Sequence, residues 1–210
     1  MPQIIAVNPE NPQRRHLARA AELLCDGAVL AVPTDSCYAL ACHLGDKAAL
    51  DRIRAIRQMD ERHHLTLMCR DLSEIAKYAR VDNSQYRLLK ATTPGSYVFI
   101  LEGTKELPRR VMHPKRKTIG LRVPDHAVAL GLLEAVGEPL LTTTLQLPGD
   151  EDPLTEGWAI QDALAGRIEL ILDAGQCGTE PTTVIDLTTG APVLVRRGRG
   201  PLAPFGLDAE

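Results

Sequence analysis

The sequence predicts an α/β or α+β layer structure around a mixed sheet. Three observations carry that expectation. Strand-like and helix-like segments alternate along nearly the whole chain. Several apolar runs are short, continuous and bounded by Gly or Pro, as strands buried on both faces are. And 44% of the 210 residues are hydrophobic, enough to fill a sizeable core.

The elements follow in order. Ile4 to Val7 is a short apolar strand. Asn11-Pro12 opens a helix, because Asn can cap and Pro suits the first helical position. Its apolar stripe is Leu17, Ala20, Ala21 and Leu24, and Gly27 ends it. Ala28 to Val32 runs apolar between Gly27 and Pro33 and reads as a buried strand; Tyr38 to Cys42 is another. Asp46 caps a second helix that carries Leu50, Ile53 and Ile56 on one face. Leu65 to Cys69 is strand-like, and two short helices lie between Asp71 and Ala91.

Tyr97 to Leu101 and Thr118 to Val123 are strands. A helix follows Pro124-Asp125, turns Val128, Leu132, Leu133 and Val136 inward and stops at Gly137. Leu140 to Thr144 is a strand, Pro148 to Pro153 an acidic turn-rich loop and Ala159 to Leu164 a short helix. Leu170 to Leu172, Thr183 to Leu187 and Val193 to Arg196 finish as strands. Nothing repetitive or linker-like interrupts 1–200, so one domain is expected, with 201–210 a loosely ordered tail.

Composition removes several function classes. Lys and Arg total 24 against 27 Asp and Glu, a formal net charge of −3, which does not indicate a globally basic nucleic-acid binder. Aromatics at 3% argue against reading single strands by base stacking. No apolar stretch is long enough to span a bilayer, and the N-terminus has no basic run or apolar signal core. A cytoplasmic chain without a membrane partner is expected. The five cysteines, Cys25, Cys37, Cys42, Cys69 and Cys177, are scattered and form no C-x-x-C, so neither a disulfide framework nor a resident metal site is expected. Cys37, Cys42 and His43 read as residues flanking a strand, since structural zinc needs paired spacings and a fourth ligand.

Four segments carry chemistry-bearing residues. Pro33-Thr34-Asp35-Ser36-Cys37-Tyr38 follows a buried strand, where open α/β sheets collect ligands. An ordinary turn rich in hydroxyl caps accounts for it equally well. In the second, Thr118-Ile119-Gly120-Leu121-Arg122-Val123, a charge alternates with apolar residues in a short strand. Such an Arg122 lines a cavity or meets an internal carboxylate. Its planar fork suits a carboxylate, bicarbonate or phosphate. Upstream, Arg109, Arg110, Lys115, Arg116 and Lys117 form a basic cluster, either a solvated face or an RNA contact. Thr142-Thr143-Thr144 ends a strand and aims Thr142 and Thr144 to one face, although threonine is also simply strand-prone. Finally, Pro181-Thr182-Thr183-Val184-Ile185-Asp186, with Arg196, is either a hairpin with polar flanks or an anion cradle. No Walker loop or Rossmann glycine fingerprint is present.

Taken together and in order, these segments resemble the YrdC-like family, whose best-known members make threonylcarbamoyl-adenylate. The resemblance runs from about residue 10 to 200. Pro33-Thr34-Asp35-Ser36-Cys37-Tyr38-Ala39-Leu40 stands where the family has P-T-E-T-x-Y-G-L. Thr93-Pro94-Gly95, Thr118 to Pro124, Pro181 to Asp186 and Arg196-Arg197-Gly198 follow in family order. The runs Leu67 to Glu74 and Arg109 to Gly120 resemble the YciO branch in particular.

The resemblance implies a YrdC-like fold, a twisted, mostly mixed β-sheet flanked by helices with a large, positively lined concave cavity. It implies a nucleotidyltransferase reaction in which L-threonine, bicarbonate and ATP give threonylcarbamoyl-AMP and pyrophosphate. Mg2+ would accompany ATP, and the product would serve modification of adenosine 37 in tRNA. By similarity Thr34, Arg122 and Arg57 are the catalytic positions. Thr34, Tyr38, Arg122, Thr142 and Thr182 would bind the amino acid, and Arg57, His63, Thr118, Thr144 and Arg196 the nucleotide. The family's K-x-R reads Arg57-Gln58-Met59 here, and its S-x-N reads Thr144-Leu145-Gln146. Losing a charge-assisted contact costs about 1.5–3 kcal/mol, so weakened or altered activity is expected. The alternative is a non-catalytic protein that binds double-stranded RNA or tRNA through the basic cavity and the Arg109–Lys117 cluster.

Overall fold

The computed structural model describes residues 1–59 and 65–207. Ten strands form one mixed sheet. They are β1 (Gln3–Ala6), β2 (Leu30–Val32), β3 (Ala39–His43), β4 (Thr66–Met68), β5 (Tyr97–Glu102), β6 (Thr118–Arg122), β7 (Leu140–Thr144), β8 (Leu170–Asp173), β9 (Thr183–Asp186) and β10 (Val193–Arg196). The spatial order is β1-β8-β2-β3-β7-β4-β6-β5-β9-β10. β1 and β2 flank β8 in parallel, as do β4 with β6 and β5 with β9. The remaining neighbours run antiparallel. The predicted layered α/β fold with a mixed sheet is what forms.

Helices cover the two faces unequally. α2 (Lys47–Arg57), α3 (Leu72–Tyr78), α4 (Asn83–Thr92) and α6 (Gly157–Ala163) bury Leu50, Ile53, Ile75, Leu89 and Ile160 against one face. α1 (Arg14–Cys25) and α5 (Ala127–Val136) bury Leu17, Leu24, Val128 and Leu132 against the other, but only over part of it. There they meet Leu30 and Val32 of β2, Ala41 of β3, Leu140 of β7 and Met68 of β4. Side chains two apart share a face of a strand. The rows that begin with Ala41, Leu140 and Met68 therefore continue as Ala39, Thr142, Thr144 and Thr66 where the helical cover ends.

Local chemistry explains most element ends. The Asp46 carboxylate accepts from Ala49 N at 2.8 Å and starts α2, as expected. Gly137 takes a left-handed φ of 76° and stops α5. Asn11 does not cap α1. That helix begins at Arg14 behind Gln13, which makes no side-chain cap bond. Asn8 organises the turn instead, its Oδ1 accepting from Glu10 N at 3.0 Å and Asn11 N at 2.8 Å. Val136 is half-buried rather than fully inward.

After residue 200 the chain packs back onto the sheet as far as residue 207. Tyr97 donates its hydroxyl proton to Pro201 O at 2.9 Å, and the Phe205 ring meets Tyr97 edge-on at 5.4 Å. Leu202 and Phe205 join the core beside Tyr97 and Phe99 and so remove apolar surface from water. Among the described residues, no helix is long and apolar enough to cross a membrane.

Candidate functional site

The uncovered part of the sheet face forms the floor of a cavity of about 340 Å3. Pairing register decides its composition. Thr66 of β4 stands opposite Thr142 of β7 and Gly120 of β6, and Ile100 of β5 stands opposite Gly120. One row further, Arg122 opposes Met68, and Val184 of β9 opposes Arg196 of β10. Gly120 is required here, since a Cβ would lie 2.9 Å from Val98 Cγ1 and 3.2 Å from Leu65 O. Ser36, Cys37, Arg57, Gln146 and Thr182 complete the walls.

Three guanidinium groups line this space: Arg57 from the end of α2, Arg122 from β6 and Arg196 from β10. Arg122 is the most enclosed, its side chain only 7% exposed. Its Nη2 lies 2.5 Å from Oδ1 of Asp35, whose side chain is 9% exposed. Ser96 donates its hydroxyl proton to the other Asp35 oxygen at 2.6 Å. Burial pulls the Arg122 pKa down and the Asp35 charge pulls it back up. Arg122 Nε is buried and has no hydrogen-bond partner among the described residues. Both readings of the strand-borne arginine thus hold at once, an internal carboxylate on one side and open space on the other.

Arg196 donates to Thr182 O at 2.8 Å and to Thr182 Oγ1 at 3.1 Å, which fixes its head against the β9 entry. Arg57 Nε is buried without a partner among the described residues, and burial lowers its pKa. Neither arginine forms an ion pair among the described residues. The Thr142 hydroxyl donates to Thr66 O at 3.2 Å, and Thr143 contacts the Met59 sulfur at 3.8 Å. Met59 packs against the apolar core. The Gln146 amide donates to Asp150 O and Glu151 O, both at 3.0 Å, and so closes the acidic loop. Cys37 lines the cavity as a protonated thiol, its pKa pushed up to about 11 by burial against the pull of the arginines.

The structure brings Arg57, Arg122, Thr142, Thr144, Thr182 and Arg196 together around this space. Thr34 is not among the lining residues. Its hydroxyl donates to Cys37 O at 2.7 Å and accepts from Ser36 N at 3.2 Å, which shapes the turn and leaves it 4% exposed. Tyr38 borders the cavity, but its hydroxyl points elsewhere, donating to Gly175 O at 2.8 Å and lying 3.2 Å from Asp173 Oδ1. Burial raises the Tyr38 pKa. Thr118 is buried at the far end of β6 from Arg122 and does not line the cavity. His63 lies outside the described residues. Arg109, Arg110, Lys115, Arg116 and Lys117 are exposed and do not line the cavity either. Arg110 donates to Gly45 O at 2.5 Å.

Sequence reasoning singled out neither Ser96 nor Thr66. Ser96 reaches Asp35 across 61 residues, and Thr66 belongs to the floor only through its pairing with β6 and β7. Such contacts leave no local signal. A wider groove of about 920 Å3 is lined by residues of α1 and α5, but Glu22, Asp26 and Glu134 face Arg14 there, which does not suit an anion.

Comparison with known proteins agrees with this geometry. The profile of a family described as telomere recombination, which covers the Sua5, YciO and YrdC proteins, matches residues 22–198. YciO of Escherichia coli is 51% identical over 205 residues, covering 98% of this chain and all of that protein. Its crystal structure superposes with a TM-score of 0.95 over 98% of this chain and 100% of that one. The Pyrococcus abyssi Sua5 structure complexed with L-threonine is 28% identical with a TM-score of 0.87, covering 95% of this chain and 58% of that one. Mouse threonylcarbamoyl-AMP synthase is 31% identical over 191 residues, 87% of this chain and 67% of that protein. The chain therefore belongs to the Sua5/YciO/YrdC family, which is related to threonylcarbamoyl-AMP synthases, and closely matches its YciO subfamily.

Proposed function

We propose that the chain is a threonylcarbamoyl-AMP synthase-like enzyme acting on L-threonine, bicarbonate and ATP. The observation that carries this reading is a cavity holding three arginines and strand-borne threonine hydroxyls, with no Asp or Glu lining it among the described residues. Guanidinium and hydroxyl donors in that arrangement suit small anions. The amine of threonine takes up bicarbonate, losing water, to give a carbamate. A carbamate oxygen then attacks the α-phosphorus of ATP, and the bond to the β-phosphate side breaks to release pyrophosphate. The product would serve modification of adenosine 37 in tRNA.

This chemistry needs no protein nucleophile, consistent with a Cys37 thiol held protonated. The protein must hold two anions together and offset charge growing on pyrophosphate. Arg122 takes the carboxylate or carbamate, with Thr142 and Thr182 beside it. Arg57, Thr144 and Arg196 take the nucleotide. Thr34 and Tyr38 act by shaping the turn that carries Ser36 and Asp35. Thr118 acts only through β6. Among the described residues, no group of three or more His, Cys, Asp or Glu could hold a metal ion. Mg2+ enters this reading as the counter-ion ATP carries. With Met59 packed against the core and Gln146 tied to its loop, turnover is expected to be slow.

The test is pyrophosphate release by the pure protein given threonine, bicarbonate and ATP, alongside calorimetric binding of ATP and threonine. Release that depends on threonine and falls at least tenfold in R196A supports the reading. No release together with no binding of any substrate ends it. A second reading, binding of tRNA or double-stranded RNA, draws on Lys115, Arg116 and Lys117, exposed and without an ion pair among the described residues. It requires a steep loss of RNA affinity with added salt, which a K115A/R116A/K117A variant flattens.

A further inference from the structure

We infer that Asp35 is a specificity-determining counter-ion, which neutralises Arg122 from behind and reserves it for a ligand group of low charge. Polyphosphate is thereby left to Arg57 and Arg196. The geometry separates charge from hydrogen bonding. Arg122 lines the cavity and Asp35 does not. Both Asp35 oxygens are engaged by protein donors, Arg122 Nη2 at 2.5 Å and Ser96 Oγ at 2.6 Å. Gly95 N donates to Val123 O at 2.9 Å and fixes the turn that carries Ser96 beside the end of β6. Both contacts hold the carboxylate behind Arg122 and away from the cavity.

Arg122 retains donor capacity all the same. Its Nη1 lies 3.5 Å from Ser36 Oγ, and its Nε has no partner among the described residues. It offers directed N–H groups with almost no net charge behind them. Arg57 and Arg196 have no carboxylate partner among the described residues, so no neighbouring carboxylate there offsets their charge. Coulomb repulsion from Asp35 scales with ligand charge. A trivalent or tetravalent pyrophosphate feels it several times more than a single carboxylate does, and a zwitterionic amino acid feels almost none. Asp35 is thus a repulsive element set against the wrong end of the substrate pair. It is a positioning residue, since it acts through Arg122.

The probes are those of the proposed function, on which the choice of ligands rests. Calorimetry with inorganic pyrophosphate and, separately, L-threonine is run on wild type, D35N, D35E and S96A, each checked for a cooperative melt. Asparagine keeps the shape and still accepts from Arg122. D35N is expected to bind pyrophosphate about tenfold tighter while threonine affinity stays within about threefold. D35E restores wild-type pyrophosphate affinity. S96A keeps the charge and loosens the carboxylate, so pyrophosphate binding holds and threonine binding weakens. A purely structural Asp35 would weaken both ligands in D35N, and unchanged or weaker pyrophosphate binding there overturns the inference. The wild type supplies a measurement independent of variant folding: pyrophosphate and threonine bind together, and mutual competition overturns the inference. Wild-type protein that binds neither probe overturns the proposed function as well, whereas binding of both with no shift in D35N overturns this inference alone.

Discussion

Replacing Arg122 by Met leaves the Asp35 carboxylate buried without its cation. Methionine keeps most of the length and removes the charge. Asp35 is then 9% exposed in the wild-type geometry, with the Ser96 hydroxyl its remaining side-chain donor. Removing one partner of a buried ion pair costs about 3–5 kcal/mol, because the orphaned charge keeps its desolvation penalty. For a domain of this size each kcal/mol lowers Tm by roughly 2–4 °C, so R122M should melt roughly 6–20 °C lower. The assay is urea denaturation with thermal melting, on wild type, R122M, D35N and the double variant. The double variant should regain much of the loss, since neither charge is then stranded, and the coupling should exceed about 1 kcal/mol. A loss under about 1 kcal/mol in R122M, or strict additivity, would refute a desolvated pair. The Asp35–Arg122 contact would then behave like an exposed surface bridge.

Three further outcomes are expected. In G198A a Cβ would press on backbone, with Thr182 O at 2.7 Å and Pro181 O nearer still, so the β9–β10 wall shifts. Stability should fall by about 1–3 kcal/mol, and ATP binding should fall with it, read by denaturation and calorimetry. D46A removes the carboxylate that accepts from Ala49 N and should cost about 1 kcal/mol in urea melts, with the helix that presents Arg57 fraying first in hydrogen exchange. His126 is held below its ordinary value of 6.5, chiefly by burial, with Asp35 and Asp125 opposing and Arg122 adding to the shift. The unfolded chain takes up the proton first as pH falls. The stability from a neutral His126 is therefore complete above about 6.5 and is lost as pH drops towards the lower folded value. A stability–pH curve flatter below 6.5 in H126Q checks this, and an unchanged curve refutes it.

Local signals carried the element order. The Asp46 cap, the Gly137 stop and the apolar stripes of α1, α2 and α5 are decided within a few residues, so a reader of the chain meets them directly. Asn11 shows the limit, because Asn8 and Asn11 offer the same chemistry and only the path of the turn selects between them. The tail shows another. Leu202 and Phe205 sit among Gly and Pro and read as punctuation, yet they pack into the core beside Tyr97.

The site divides along the same line. The alternation of Arg122 with Leu121 and Val123, and of Thr142 with Thr143, was enough to nominate these residues, because side-chain direction in a strand is a local property. Motif order along the chain was enough to suggest the family. Which side chains meet was not legible. Thr34 turns its hydroxyl into its own turn, Tyr38 sends its hydroxyl to Gly175, and Ser96 arrives from 61 residues away to hold Asp35. What the sequence determined by itself was the alphabet of the site and the elements that carry it. Only the tertiary structure decided that Arg122 is neutralised from behind while Arg57 and Arg196 make no ion pair among the described residues. Pairing register and the partial helical cover are nonlocal, and charge is balanced in space rather than along the chain.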